Sequence, residues 1–200
     1  MNKILASRWT KVLVFLVCLV PVALLAWGFH KNALGPNPVE KIEHETGDWT
    51  IYFLLITLAI TPFRKLANLP VLIRFRRMLG LFAFFYGFLH LMAYVWVDQA
   101  FDWPALWKDV YKRPFVTAGF TGFCLMVPLA LTSTAWSIRK LGGRRWQRLH
   151  RLIYLSALAG VIHYYWLVKS DVRKPLLYGA ILLVLMLYRA AIWLRPAKIA

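Results

Sequence analysis

Six stretches of this chain, residues 12–29, 49–63, 78–97, 114–138, 152–168 and 175–194, are free or nearly free of charge, with Arg189 interrupting the last. About 20 such residues cross the hydrocarbon core as an α-helix. Lipid offers the backbone no hydrogen bonds, which leaves helices and closed barrels as spanning structures. The runs lack the alternation of barrel strands. They predict an all-α polytopic membrane protein: one domain over residues 1–200, folded as a bundle of six transmembrane helices. The run at 49–63 has only 15 residues and is expected to be a tilted or half-buried segment. Composition agrees, with 60% hydrophobic residues, 16% charged residues and a mean hydropathy of +0.57, far from a soluble domain with about 25% charged residues.

Basic residues orient the bundle. Net side-chain charge runs +3 in the N-terminal tail, then −2, +5, 0, +6 and +2 in successive loops, and +3 at the C-terminal end. Lysine and arginine are retained on the cytoplasmic side. Both termini are therefore expected to be cytoplasmic, with residues 40–48, 98–113 and 169–174 outside. The formal charge of +17 reports topology and contact with anionic membrane lipids, not nucleic acid, because its clusters abut apolar helices. Trp9, Trp27, Trp49, Trp96, Trp136, Trp146, Trp166 and Trp193 fall near span ends, where indoles sit at headgroup level. The first apolar run reads as an uncleaved helix. Gly35-Pro36-Asn37-Pro38 and Leu141-Gly142-Gly143 read as turns, and Thr61-Pro62 as the end of the second helix. No internal repeat stands out.

No glycine-rich nucleotide loop is present, and Cys18 and Cys124 sit inside apolar runs as small hydrophobic residues. The chemistry lies with His90, His150 and His163, because an ionisable side chain in a bilayer helix needs a partner. His90 stands 13 residues beyond Arg77, and His163 stands 12 beyond Arg151, on helices expected to run outward. That places both imidazoles at one depth toward the outer leaflet, as two axial ligands of a haem b require. His150 lies about 20 Å further in, with Arg77 or Arg76 opposite it, and arginine cannot ligate iron. Arg77 and Arg148 are candidates to hold a propionate, a flavin phosphate or a lipid phosphate. His30 and His44 read as ordinary solvated histidines.

The stretches Arg76-Arg77-Met78-Leu79-Gly80-Leu81, His90-x-x-x-Tyr94, Trp146-Gln147-Arg148-Leu149-His150-Arg151-Leu152-x-Tyr154 and Ile162-His163-Tyr164-Tyr165-Trp166 resemble the ferric-reductase-like transmembrane superfamily. Within it they resemble more closely the haem-binding membrane subunits of two-component methionine sulfoxide reductase systems. The resemblance extends to Gly35-x-x-Pro38 and Ile60-Thr61-Pro62. It implies a multi-pass protein of the bacterial inner membrane that binds haem b, with FMN also attributed to the family. Its electrons come from the quinol pool or a cytosolic flavin reductase and go to a periplasmic molybdopterin-containing catalytic subunit, MsrP-like, that repairs oxidised methionine. It implies that His90 and His163 are the outer haem pair and His150 the inner family histidine, also a metal-ligand candidate. The chain itself is expected to transfer electrons without acting on methionine sulfoxide. Two other readings are a stand-alone quinol- or metal-reducing cytochrome b and a non-redox transporter or assembly factor. The loop at 97–113, with Trp103, Trp107, Asp98, Asp102 and Asp109, is expected to receive the soluble acceptor.

Overall fold

The computed structural model describes residues 2–194, so Arg195 and Lys198 of the C-terminal charge cluster and the Trp193 indole of the proposed belt lie outside the described residues. Every regular element among the described residues is helical. A short α1 (Asn2–Ala6) leads through Ser7, whose hydroxyl caps the next helix at Trp9 N, into α2 (Arg8–His30). Then come α3 (Pro38–Leu66), a single tight turn at Pro70–Leu72, α4 (Ile73–Met92), a π-helical turn at Ala93–Asp98, and α5 (Trp103–Lys112). The remainder is α6 (Pro114–Leu131), α7 (Ala135–Leu141), α8 (Gly143–Leu149), α9 (Leu152–Leu167) and α10 (Arg173–Trp193).

Among the described residues, five segments are long and apolar enough to cross a bilayer: Arg8–His30, Pro38–Leu66, Pro70–Asp98, Pro114–Leu131 and Arg173–Ile192. The apolar run at 152–168 forms a helix of 16 residues, about 24 Å long, against a hydrocarbon core of about 30 Å.

Three boundaries differ from the sequence reading, each for a local reason. The expected short second span is the longest helix, 29 residues, because Asn37 caps its start at Glu40 N and Pro38 occupies the first turn. Nor does it stop at Thr61-Pro62. Pro62 has no N–H for the Leu58 carbonyl, and Arg189 Nη2 donates to that oxygen at 3.1 Å instead, so the helix continues to Leu66. The expected fourth run breaks after Leu131, where the Thr132 and Ser133 hydroxyls turn back onto the Pro128 and Leu129 carbonyls at 2.6 and 2.7 Å. Thr134 then caps α7, and Gly142, with φ +74°, carries the chain into α8.

Two helix pairs, α3 with α4 and α6 with α9, make the most extensive contacts, and α10 packs on α9 and α3. Small residues allow the second pair to close: Ser156 donates to the Gly122 carbonyl at 2.9 Å, and a Cβ on Gly122 would lie 3.4 Å from the Ala159 Cβ. Inside the first pair, Phe53 stacks on Tyr86 and Phe82, and Trp49 lies against Phe53 and Tyr86. Trp49 is thus a core residue and Trp146 a stacking partner of His150, whereas Trp9, Trp27, Trp96, Trp136 and Trp166 are exposed as a belt requires. Tyr86 is fully buried and fastens α2 to the bundle: its hydroxyl accepts from Val22 N at 3.2 Å and donates to Cys18 O at 2.8 Å, bridging the ladder beside Pro21.

Candidate functional site

His90 stands near the end of α4, and its Nδ1 lies 3.0 Å from the Glu43 carbonyl of α3. His163, on α9, stands in the same relation to α6: its Nδ1 lies 2.7 Å from the Phe115 carbonyl. A carbonyl only accepts, so each Nδ1 carries the proton and each Nε2 keeps a free lone pair, the form in which imidazole binds a metal.

Each ring is seated by a glycine four residues beyond the carbonyl it bonds. A Cβ on Gly47 would lie 3.3 Å from His90 Nδ1, and one on Gly119 only 2.7 Å from His163 Nδ1. The two helix pairs therefore build one device twice: a histidine on one helix, with a carbonyl and a glycine one turn apart on its partner. This local correspondence carries no repeated motif beyond the glycine spacing, which is why the sequence reading found no repeat.

The two rings have their centres 6.0 Å apart at an interplanar angle of 73° and line the same cavity of about 480 Å³. A metal–nitrogen bond of about 2 Å, plus about 1 Å from nitrogen to ring centre on each side, gives roughly 6 Å for two imidazoles on one iron. Among the described residues no group of three or more His, Cys, Asp or Glu side chains is placed to hold a bare ion. A porphyrin needs only two protein ligands, since its own nitrogens supply the rest. The cavity suits that group, with apolar walls that include Ile51, Leu54, Phe123 and Met126 and a volume in the range of cofactor sites.

The segment read as a loop at 97–113 closes the cavity. Its α5 is amphipathic, placing Leu106 in the interior and Trp103 and Trp107 partly over the cavity with more than half their surface exposed. Tyr94, on the π-helical turn just after His90, donates to Asp109 of α5 at 2.8 Å, and Asp109 pairs with Arg113 at 3.2 Å. Arg113 also lines the cavity and is the arginine that sequence reasoning missed. His44 is exposed at its edge.

His150 is elsewhere. It follows α8 at the basic end of the bundle and stacks on the Trp146 ring with centres 3.8 Å apart. Its Nδ1 is 3.1 Å from the Trp146 carbonyl, and its Nε2 is 3.5 Å from the Ser133 hydroxyl. Burial lowers its pKa, and the neighbouring Arg76 guanidinium adds to the effect, which keeps the ring neutral at physiological pH. Of the two arginines considered opposite it, Arg76 is half-buried and within electrostatic reach of it, while Arg77 is exposed; Arg148 is exposed as well.

Residues 46–161 match the family model described as ferric reductase like transmembrane component. The chain is 52% identical over 177 residues to the protein-methionine-sulfoxide reductase heme-binding subunit MsrQ of Caulobacter vibrioides, covering 88% of this chain and 84% of that protein. It is 50% identical over 181 residues to the MsrQ of Herminiimonas arsenicoxydans, covering 90% and 83%. With that of Xanthomonas campestris pv. campestris (strain 8004) it shares 51% over 191 residues, covering 92% and 86%.

Proposed function

Because this chain belongs to the MsrQ family of ferric-reductase-like membrane proteins, we propose that it is the haem b-binding subunit of a methionine sulfoxide reductase system in the bacterial inner membrane. It transfers electrons to a catalytic partner and does not itself act on methionine sulfoxide. The observation that carries this reading is the His90–His163 pair, two neutral imidazoles 6.0 Å apart on one apolar cavity, each fixed by a backbone carbonyl. Haem b bound there supplies a one-electron couple. His90 and His163 would hold its iron, and Arg113 is the cation on the wall suited to a propionate.

The other residues give the transfer its direction. In this proposal α9 is the sixth span, tilted neighbours and interfacial aromatic residues covering its short length, so both termini are cytoplasmic. The basic end with His150, Arg77 and Arg148 then faces the donor, a quinol or a cytosolic flavin reductase. Neutral His150 is fit to accept a proton there, and the exposed Arg77 and Arg148 meet lipid headgroups or the phosphate of a flavin such as FMN. His150 precedes His163 by 13 residues, about 20 Å of helix, and so stands apart from the outer pair. The opposite end, with α5 over the cavity, faces a periplasmic MsrP-like molybdopterin subunit. A shallow aromatic patch with acidic neighbours is suited to a transient redox partner.

Stopped-flow spectroscopy of the reduced protein tests this. Adding the catalytic partner and methionine sulfoxide is expected to reoxidise the haem, and replacing Trp103 and Trp107 together by alanine to slow that phase at least several-fold without loss of haem. No partner-dependent reoxidation would count against the assignment and in favour of a stand-alone cytochrome.

A further inference from the structure

At the basic end, between α3, α4, α9 and α10, lies a second polar cluster that the haem cavity does not include. Arg189 enters it from α10: one terminal nitrogen donates to the Tyr154 hydroxyl, the other to Leu58 O, and its carbon lies 5.0 Å over the Tyr154 ring. Its Nε is buried with no hydrogen-bond partner, and so are Arg64 Nε and the Thr57 and Thr61 hydroxyls of α3. Four of the five such atoms among the described residues thus belong to this one region of the bundle. Arg76 of α4 completes the group, within electrostatic reach of both Arg189 and Arg64.

Three guanidiniums held together in a membrane protein repel one another and need a counter-charge. Among the described residues no Asp or Glu side chain lies at that end. All eight of its Asp and Glu side chains fall within residues 40–48 and 98–109 or at position 171, toward the opposite end of the bundle. The His90–His163 site cannot supply one either, since Arg76 precedes His90 by 14 residues, about 21 Å of helix.

We propose that Arg64, Arg76 and Arg189, with the Thr61 and Tyr154 hydroxyls, bind a phosphate oxyanion between the helices at the basic end of the bundle. Planar N–H forks match phosphate oxygens, and the unpaired Nε atoms and hydroxyls are the donors such a group would use. Basic pockets between spans at a membrane face are suited to anionic lipid headgroups, and a free phosphate presents the same chemistry.

Native mass spectrometry and thermal unfolding of the purified haem-loaded protein, with phosphatidylglycerol and inorganic phosphate as separate probes, test the proposal. The parent is expected to retain a phosphate-bearing adduct and unfold at a higher temperature. The double variant R76Q/R189Q is expected to lose at least ten-fold in occupancy while its haem spectrum is unchanged. Protection by phosphatidylglycerol alone identifies a headgroup site, and protection by inorganic phosphate as well identifies a site for the free ion. Should the double variant fail to fold, R64Q removes one guanidinium and leaves the Tyr154 and Leu58 bonds intact, and the same loss is expected. Absence of binding by both probes, or equal binding by parent and variant, overturns the proposal.

Discussion

At the scale of single residues, the seat of each imidazole is as constrained as the imidazole itself. A methyl group on Gly119 would stand 2.7 Å from His163 Nδ1, and one on Gly47 would stand 3.3 Å from His90 Nδ1. The first contact forces the ring to move and breaks its bond to Phe115, whereas the second needs only a shift of a few tenths of an ångström. G119A is therefore expected to lose most of its haem and G47A to keep most of it, measured as haem per folded protein after purification. Equal retention would show that the rings are not held this way. The histidines were legible because charge-capable side chains in apolar runs stand out. Their hydrogen-bond acceptors were not, because a backbone carbonyl has no residue type. A glycine four residues beyond such a carbonyl was the only trace available, and glycine in a membrane helix has many other uses.

At the scale of elements, the apolar runs located the helices but set their ends wrongly wherever a side chain repaired the backbone. Pro62 is a helix end by its local chemistry and an interior residue in the structure, because Arg189, more than a hundred residues away, donates to the carbonyl it orphans. No local reading contains that contact. Beside Pro21, Tyr86 bonds both Val22 N and Cys18 O of the α2 ladder, another contact from a distant element. Replacing Tyr86 by phenylalanine removes both hydrogen bonds that tie α2 to α4 and is expected to cost about 1–3 kcal/mol, seen as a lower unfolding temperature with the haem spectrum retained while folded. An unchanged unfolding temperature would mean that α2 is held by packing alone. Helix α5 escaped notice because its ten residues carry three charges, so overall polarity concealed an apolar face that only a helical period displays.

At the scale of the whole molecule, charge divides the bundle into a strongly basic end and an end that holds every Asp and Glu balanced by as many Lys and Arg, and the candidate haem site sits toward the second. An even number of spans places both termini on one side, an odd number on opposite sides. Reporter fusions to the two ends are expected to give the same cytoplasmic signal, and cysteines introduced at Asn37 and Asp171 to be labelled from the periplasm; opposite signals from the two fusions would leave α9 short of a crossing. The most direct test of the central claim is the reduced-minus-oxidised visible spectrum of purified, folded protein, compared among the parent and its H90A, H163A and H150A variants. The parent is expected to show sharp b-type bands, both H90A and H163A to lose them, because one iron bond is gone and a polar gap opens in an apolar slot, and H150A to keep them. A folded, colourless parent, or an H90A variant with the parent's spectrum, would contradict the assignment of the site.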